Sequence, residues 1–146
     1  MATVELSFSA LPVHVRTARL IVTAVARRSG VAESLLDEVR LAVGEACSRA
    51  VEAHRRHCPD EPVRLELSSA DRRFEVTVSD TVPGDEATGG LPKPPDAADF
   101  EFGLGEGTTE LGLAVIAGLA DDVEIAATPK GVQIRMSWPA EAEATI

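Results

Sequence analysis

The sequence predicts an α+β protein, a two-layer α/β sandwich with helices packed on one sheet, and three observations lead there. Short segments at both ends and in the middle of the chain alternate apolar and polar residues, the period of strands with one buried face. Longer segments between them space apolar residues helically, leaving a polar flank. The order is strand, two helices, two strands, helix, two strands, and this segregation implies a largely antiparallel or mixed sheet. At 146 residues the chain fits one core, so 1–146 is read as a single domain with one main site.

Taken in order, "TVELSFSA" alternates at Val4, Leu6 and Phe8 and opens the chain with a strand. Pro12 suits the first turn of a helix, Val15, Ala18, Ile21, Val22 and Val25 give it an apolar face, and Gly30 supplies a stop. The second helix runs from Ala32 to His57, where the prolines of "CPDEP" forbid continuation. With successive residues about 100° apart, Leu36, Val39, Val43, Ala46, Cys47 and Ala50 form its core stripe. "VRLELSS" and "RRFEVTVSD" read as a hairpin joined by "SADR". Residues 81–107, rich in Gly, Pro and Asp, show no sustained period, and a loop of that length is usually functional or disordered. Order returns at "TTELGLAVIAGLA", a helix that Thr108 or Thr109 can cap and that packs through Leu111, Ala114, Val115 and Leu119. "DDVEIAAT" and "VQIRMSW", joined by "PKG", make a closing hairpin.

Composition removes several function classes. The formal charge of −10 repels phosphate backbones and argues against direct nucleic-acid binding. No run approaches the roughly 18 apolar residues of a membrane span, and "MATVELSFSALP" lacks the pattern of a secretory signal, so no membrane association and a cytoplasmic location are expected. Cys47 and Cys58 cannot build a disulfide framework, no Cys/His spacing suits zinc, and Cys47 sits on an apolar helix face as a core residue. The scattered His14, His54 and His57 form no ligand set.

The helix "DEVRLAVGEACSRAVEAH" carries Glu45 and Arg49 one turn apart. Alone, they read as an intrahelical ion pair in the favourable orientation, contributing about 0.2–0.5 kcal/mol. The stretch "LAVGEACSRAV" nevertheless resembles the first nucleotide-binding helix of the Bergerat-fold (histidine-kinase-like) ATPases, in the branch of anti-sigma-factor serine kinases, where the pattern is Glu-x-x-x-Asn. "FEVTVSDTVPG" is similar to that family's strand ending in Asp-x-Gly-x-Gly, and "GLGEGTTELGLAVIAGLADDVEI" to its glycine-rich lid and following helix and strand. The blocks fall in the family's order over nearly the whole chain.

The resemblance implies a Bergerat fold with a lid at 83–107 and an ATP pocket. Asp80 would accept from the adenine amino group and Gly84 would allow close backbone approach. The lid glycines Gly103, Gly105 and Gly107, with Thr108 and Gly112 at the following helix, would present N–H groups to phosphates. Glu45 matches the catalytic base that takes the proton of a substrate serine. Two departures count against that chemistry. Arg49 replaces the Asn that holds magnesium and has no acceptor to offer a metal, and Val82 replaces the first Gly of the strand motif. The expectation is therefore a salt bridge between Glu45 and Arg49 that fills a degenerate pocket.

Two functions are expected from the resemblance. One is an anti-sigma factor acting by partner switching, which binds a sigma factor, is sequestered by a STAS-type anti-anti-sigma protein, and has weak or lost kinase activity. The other is an active magnesium- and ATP-dependent serine kinase that phosphorylates the anti-anti-sigma protein, whose added charge disrupts the interface. Family members also pair through the sheet and first strand, which raises a homodimer as an option.

Overall fold

The computed structural model describes residues 2–82 and 108–140. The elements are β1 (Ala2–Phe8), α1 (Pro12–Arg28), α2 (Glu33–His57), β2 (Val63–Ala70), β3 (Arg73–Ser79), α3 (Thr108–Leu119), β4 (Asp122–Thr128) and β5 (Gly131–Pro139). They build one five-stranded sheet in the order β1-β2-β3-β5-β4, antiparallel at every pairing. This is the α+β sandwich read from the sequence.

The sheet buries one face. Leu65 and Leu67 of β2, Phe74, Val76 and Val78 of β3, and Ile134, Met136 and Trp138 of β5 form the floor of the core. The alternating partners Arg64, Glu66, Gln133 and Arg135 stay exposed. Helix α2 lies over β2, β3 and β5 with α1 and α3 on its two sides. All six residues of its expected stripe are buried, together with Ala42, Val51 and His54. Trp138 is the largest fully buried side chain, and its indole N–H donates to the Leu119 carbonyl at 3.2 Å, which ties the end of α3 to β5.

Helix α1 ends in a Schellman motif. The Gly30 N–H donates to the Arg27 carbonyl and the Val31 N–H to the Ala26 carbonyl, with Gly30 at φ +96°. Apolar Val31 and Ala26 close the motif in the core. Three details differ from the sequence reading. Ile21 is 37% exposed, and Ala26 takes its place in the core. Among the described side chains of α3, Ile116 is buried and Leu119 packs against the core, while Val115 is 41% exposed and Leu111 lies outside the described side chains; an element apolar on every side gives periodicity little to phase on. The first hairpin turns at Asp71 and Arg72, both at positive φ, because β2 continues through Ser68, Ser69 and Ala70 in register with Glu75, Phe74 and Arg73.

Candidate functional site

The end of β3 and the start of β5 form a corner beneath α2. The Asp80 N–H donates to the Val132 carbonyl at 3.0 Å, which extends the ladder one step beyond the strand. Its carboxylate turns inward. Oδ1 accepts the backbone N–H groups of Val82 at 3.0 Å and Val132 at 3.1 Å, and Oδ2 accepts Nη1 of Arg49 at 3.1 Å. A glycine is required opposite this corner: Gly131 has φ +147°, and a Cβ there would lie 2.0 Å from the Asp80 carbonyl oxygen. The far end of α2 fixes the next residue. His54 is fully buried; its Nε2 accepts the Thr81 N–H at 3.0 Å and its Nδ1 lies 2.8 Å from the Glu61 carbonyl. The accepting role of Nε2 places the ring proton on Nδ1, which then donates to Glu61.

Arg49 closes the corner from above. The side chains of Arg49 and Asp80 are 8% and 1% exposed, so this is a buried ion pair. Only Nη1 is engaged: Nε and Nη2 are buried and have no hydrogen-bond partner among the described residues. The expected pairing of Arg49 with Glu45 is not formed. The physical reason is the environment of the two carboxylates. Asp80 sits in the low-dielectric floor, where attraction to a guanidinium is strong, whereas Glu45 is only half-buried and its attraction is screened by water.

Glu45 points elsewhere. It lines a groove of about 300 Å³ between α1 and α2 together with Arg16, Arg19, Leu41, Gly44 and Ser48. The absence of a side chain at Gly44 lets Arg19 cross the helix, since a Cβ there would come within 2.6 Å of the Arg19 Cδ. Among the described residues, Arg16, Arg19 and Glu45 take part in no ion pair. Cys47, on the buried side of the same helix turn, has its thiol pushed up to about 12 by burial, against a smaller lowering by the Arg19 charge. It is an inert core residue, in keeping with its sequence pattern.

The structure thus brings Arg49 and Asp80 together and sets Glu45 apart. Val82, where the motif calls for glycine, is fully buried. Gly84, Gly103, Gly105 and Gly107, and with them the lid at 83–107, lie outside the described residues. Thr108 and Gly112 fall in the first turns of α3, whose side chains also lie outside them. Sequence reasoning missed Val132, Gly131 and His54. The "PKG" turn was visible, but its packing against Asp80 joins residues far apart in the chain, and nothing local marks His54 as more than one of three scattered histidines.

Chemically, the corner differs from a magnesium–nucleotide site. Arg49 offers a metal no lone pair, and it donates to Oδ2 of Asp80, the carboxylate to which the resemblance assigns the adenine amine. Comparison with known proteins identifies the frame. The model of the histidine kinase-like ATPase domain family matches residues 8–138. Among solved structures, that of the RsbU and RsbW domains of Rv1364c from Mycobacterium tuberculosis superposes with a TM-score of 0.68 at 15% identity, over 99% of this chain and 33% of that one. The present chain therefore spans about a third of that neighbour's length. No curated protein sequence matches. No helix among the described residues is long and apolar enough to cross a membrane.

Proposed function

Because the chain belongs to the histidine kinase-like ATPase domain family, we propose that it acts as an anti-sigma factor by partner switching. In this reading it binds a sigma factor in the cytoplasm, is sequestered by a STAS-type anti-anti-sigma protein, and has weak or lost kinase activity. The observation that carries it is the Arg49–Asp80 pair, at 3.1 Å and almost fully buried. Phosphoryl transfer draws most of its rate from positioned positive charge on the phosphates, which the family obtains from a coordinated metal. Arg49 cannot coordinate that metal, and with its side chain turned onto Asp80 it closes the adenine acceptor as well. A chain with this corner retains the frame and the outer surfaces of the family and gives up the nucleotide.

The groove beside Glu45 supports the same reading. Arg16, Arg19 and Glu45 face solvent between α1 and α2, and unpaired charges at a surface steer a complementary partner and fix its register. Control then comes from competition between two proteins for one binding partner and needs no covalent step. Glu45 favours the second reading, an active serine kinase acting on the anti-anti-sigma protein, since a half-buried carboxylate at the family's base position remains in place.

The test is a binding and transfer assay with purified chain, a candidate sigma factor and a candidate STAS protein. Stable complexes in nucleotide-free buffer, with exchange driven by the relative amounts of the two partners, are the expected result. Magnesium-dependent transfer of the ATP γ-phosphate to a serine of the STAS protein would overturn it in favour of the kinase.

A further inference from the structure

The Arg49 side chain is more than a plug. A guanidinium presents two bidentate edges, and the one formed by Nε–H and the parallel Nη2–H is the edge that matches the two oxygens of an oxyanion. Asp80 uses the remaining nitrogen, Nη1, and so holds the planar group in place without touching that edge. Asp80 is itself fixed by the N–H groups of Val82 and Val132. The result is a rigid, buried donor pair whose two N–H groups have no partner among the described residues. Such donors are rare in folded proteins, and each calls for an explanation, a bound water or ion among them.

We infer that the Nε/Nη2 edge of Arg49 is an oxyanion receptor that takes a small, singly charged carboxylate. The charge count selects the carboxylate: Asp80 already balances Arg49, so each further negative charge enters a neutral and largely desolvated corner. One charge spread over two oxygens fits the fork, whereas a phosphate dianion brings a second charge with no cation to meet it among the corner's residues. The corner has thus reversed polarity. A bare Asp80 would seek a donor such as an amine; the Arg49–Asp80 unit offers donors and seeks an acceptor. The inference rests on the geometry of these residues alone and stands whether or not the chain switches partners.

The full chain, labelled with 15N, is titrated with sodium acetate while the Arg Nε–H signals are followed, with sodium chloride at matched ionic strength and inorganic phosphate as parallel arms. The Arg49 Nε–H signal is expected to move saturably with acetate, less with phosphate and not with chloride, and the Tm is expected to rise along the same acetate curve. Arg49→Lys keeps the charge and loses the fork, so acetate affinity measured by Tm should fall about tenfold or more. The inference is overturned if acetate gives no saturable shift, if chloride reproduces it, if phosphate binds more tightly than acetate, or if Arg49→Lys responds as the parent does. Should Arg49→Lys fail to fold, the parent's Nε–H signal decides alone: a signal unmoved by acetate overturns the inference.

Discussion

Two residues one turn apart on α2 meet opposite fates. Arg49 turns toward the sheet, pairs with a carboxylate beneath it and is almost lost to solvent, while Glu45 lines a groove with two arginines that pair with nothing described. The inner corner is built by backbone donors, a required glycine and a buried histidine; the outer groove is built by long side chains over a helix glycine. The contrast teaches that one turn of a helix can face a closed, charge-paired corner and an open, charged groove at the same time. Closing the inner corner needs a single long cation on α2, and it leaves the outward surface untouched. Substitutions should therefore cost stability at the corner and leave it intact at the groove.

The largest effect is expected for Asp80→Ala. It strips Arg49 of its counter-charge and leaves the N–H groups of Val82 and Val132 without their acceptor. Breaking one side of a buried ion pair costs about 3–5 kcal/mol, to be read from urea unfolding. Labelling of Cys47 supplies a second measure. Burial holds its thiol near 12 in the folded chain against 9.0 in an unfolded one, so alkylation at pH 8 reports opening of the core and should accelerate in the variant. The same shift sets a sign for pH: stability from the neutral thiol is complete below 9.0 and declines as pH rises from there toward 12. Unchanged stability in Asp80→Ala would erase the contrast between corner and groove.

Next comes Gly131→Ala. Its Cβ would overlap the Asp80 carbonyl oxygen, with φ at +147° adding strain, so a loss of about 2–3 kcal/mol is expected. The control Gly30→Ala, at a helix end with φ +96°, should cost about 1 kcal/mol. Equal losses at both glycines would show that close approach to Asp80 contributes nothing.

How much of this was legible beforehand follows from the range of each interaction. Strands and helices declare themselves through periods of two and 3.6 residues, which is why β1, β2, β3 and the full α2 stripe emerged from the sequence. The phase of α3 did not, since "LGLAVIAGLA" is apolar on every side and lets Ile116 and Val115 exchange roles. Both members of the corner pair were recognisable singly, through motif position. Their pairing was not, because Arg49 and Asp80 lie 31 residues apart, and the nearer Glu45 satisfies every local rule for an ion pair. Gly131 and Val132 read only as turn and strand, and their role comes from the antiparallel placement of β5 beside β3.

A smaller effect, and one of opposite sign, is expected for nucleotide binding in Arg49→Asn. The change vacates the space over Asp80, frees its Oδ2 and restores an amide oxygen able to face magnesium. ATP affinity should rise by about fivefold, roughly 1 kcal/mol, although the fold loses part of its stability. Calorimetry with magnesium–ATP measures it. A drop in affinity would mean that Arg49 binds phosphate in a working site, and the corner would then be an altered active site rather than a closed one.

The smallest effect belongs to Glu45. A half-buried side chain without an ion-pair partner among the described residues contributes little to folding, so Glu45→Gln should change stability by less than about 0.5 kcal/mol. If the proposed partners dock at the groove, their binding should weaken only modestly, because the substitution preserves shape and removes one charge from a groove that keeps Arg16 and Arg19. What it removes is the ability to accept a proton. If Glu45 still serves as a base, Glu45→Gln abolishes phosphate transfer while largely sparing binding; if the closed corner has ended that chemistry, there is no transfer to abolish. Measured side by side with Arg49→Asn, the two variants separate the inner corner from the outer groove. Transfer that appears in Arg49→Asn and disappears again in Arg49→Asn/Glu45→Gln would show that only the inner corner was lost, and that Glu45 has kept its place over a reaction the corner no longer permits.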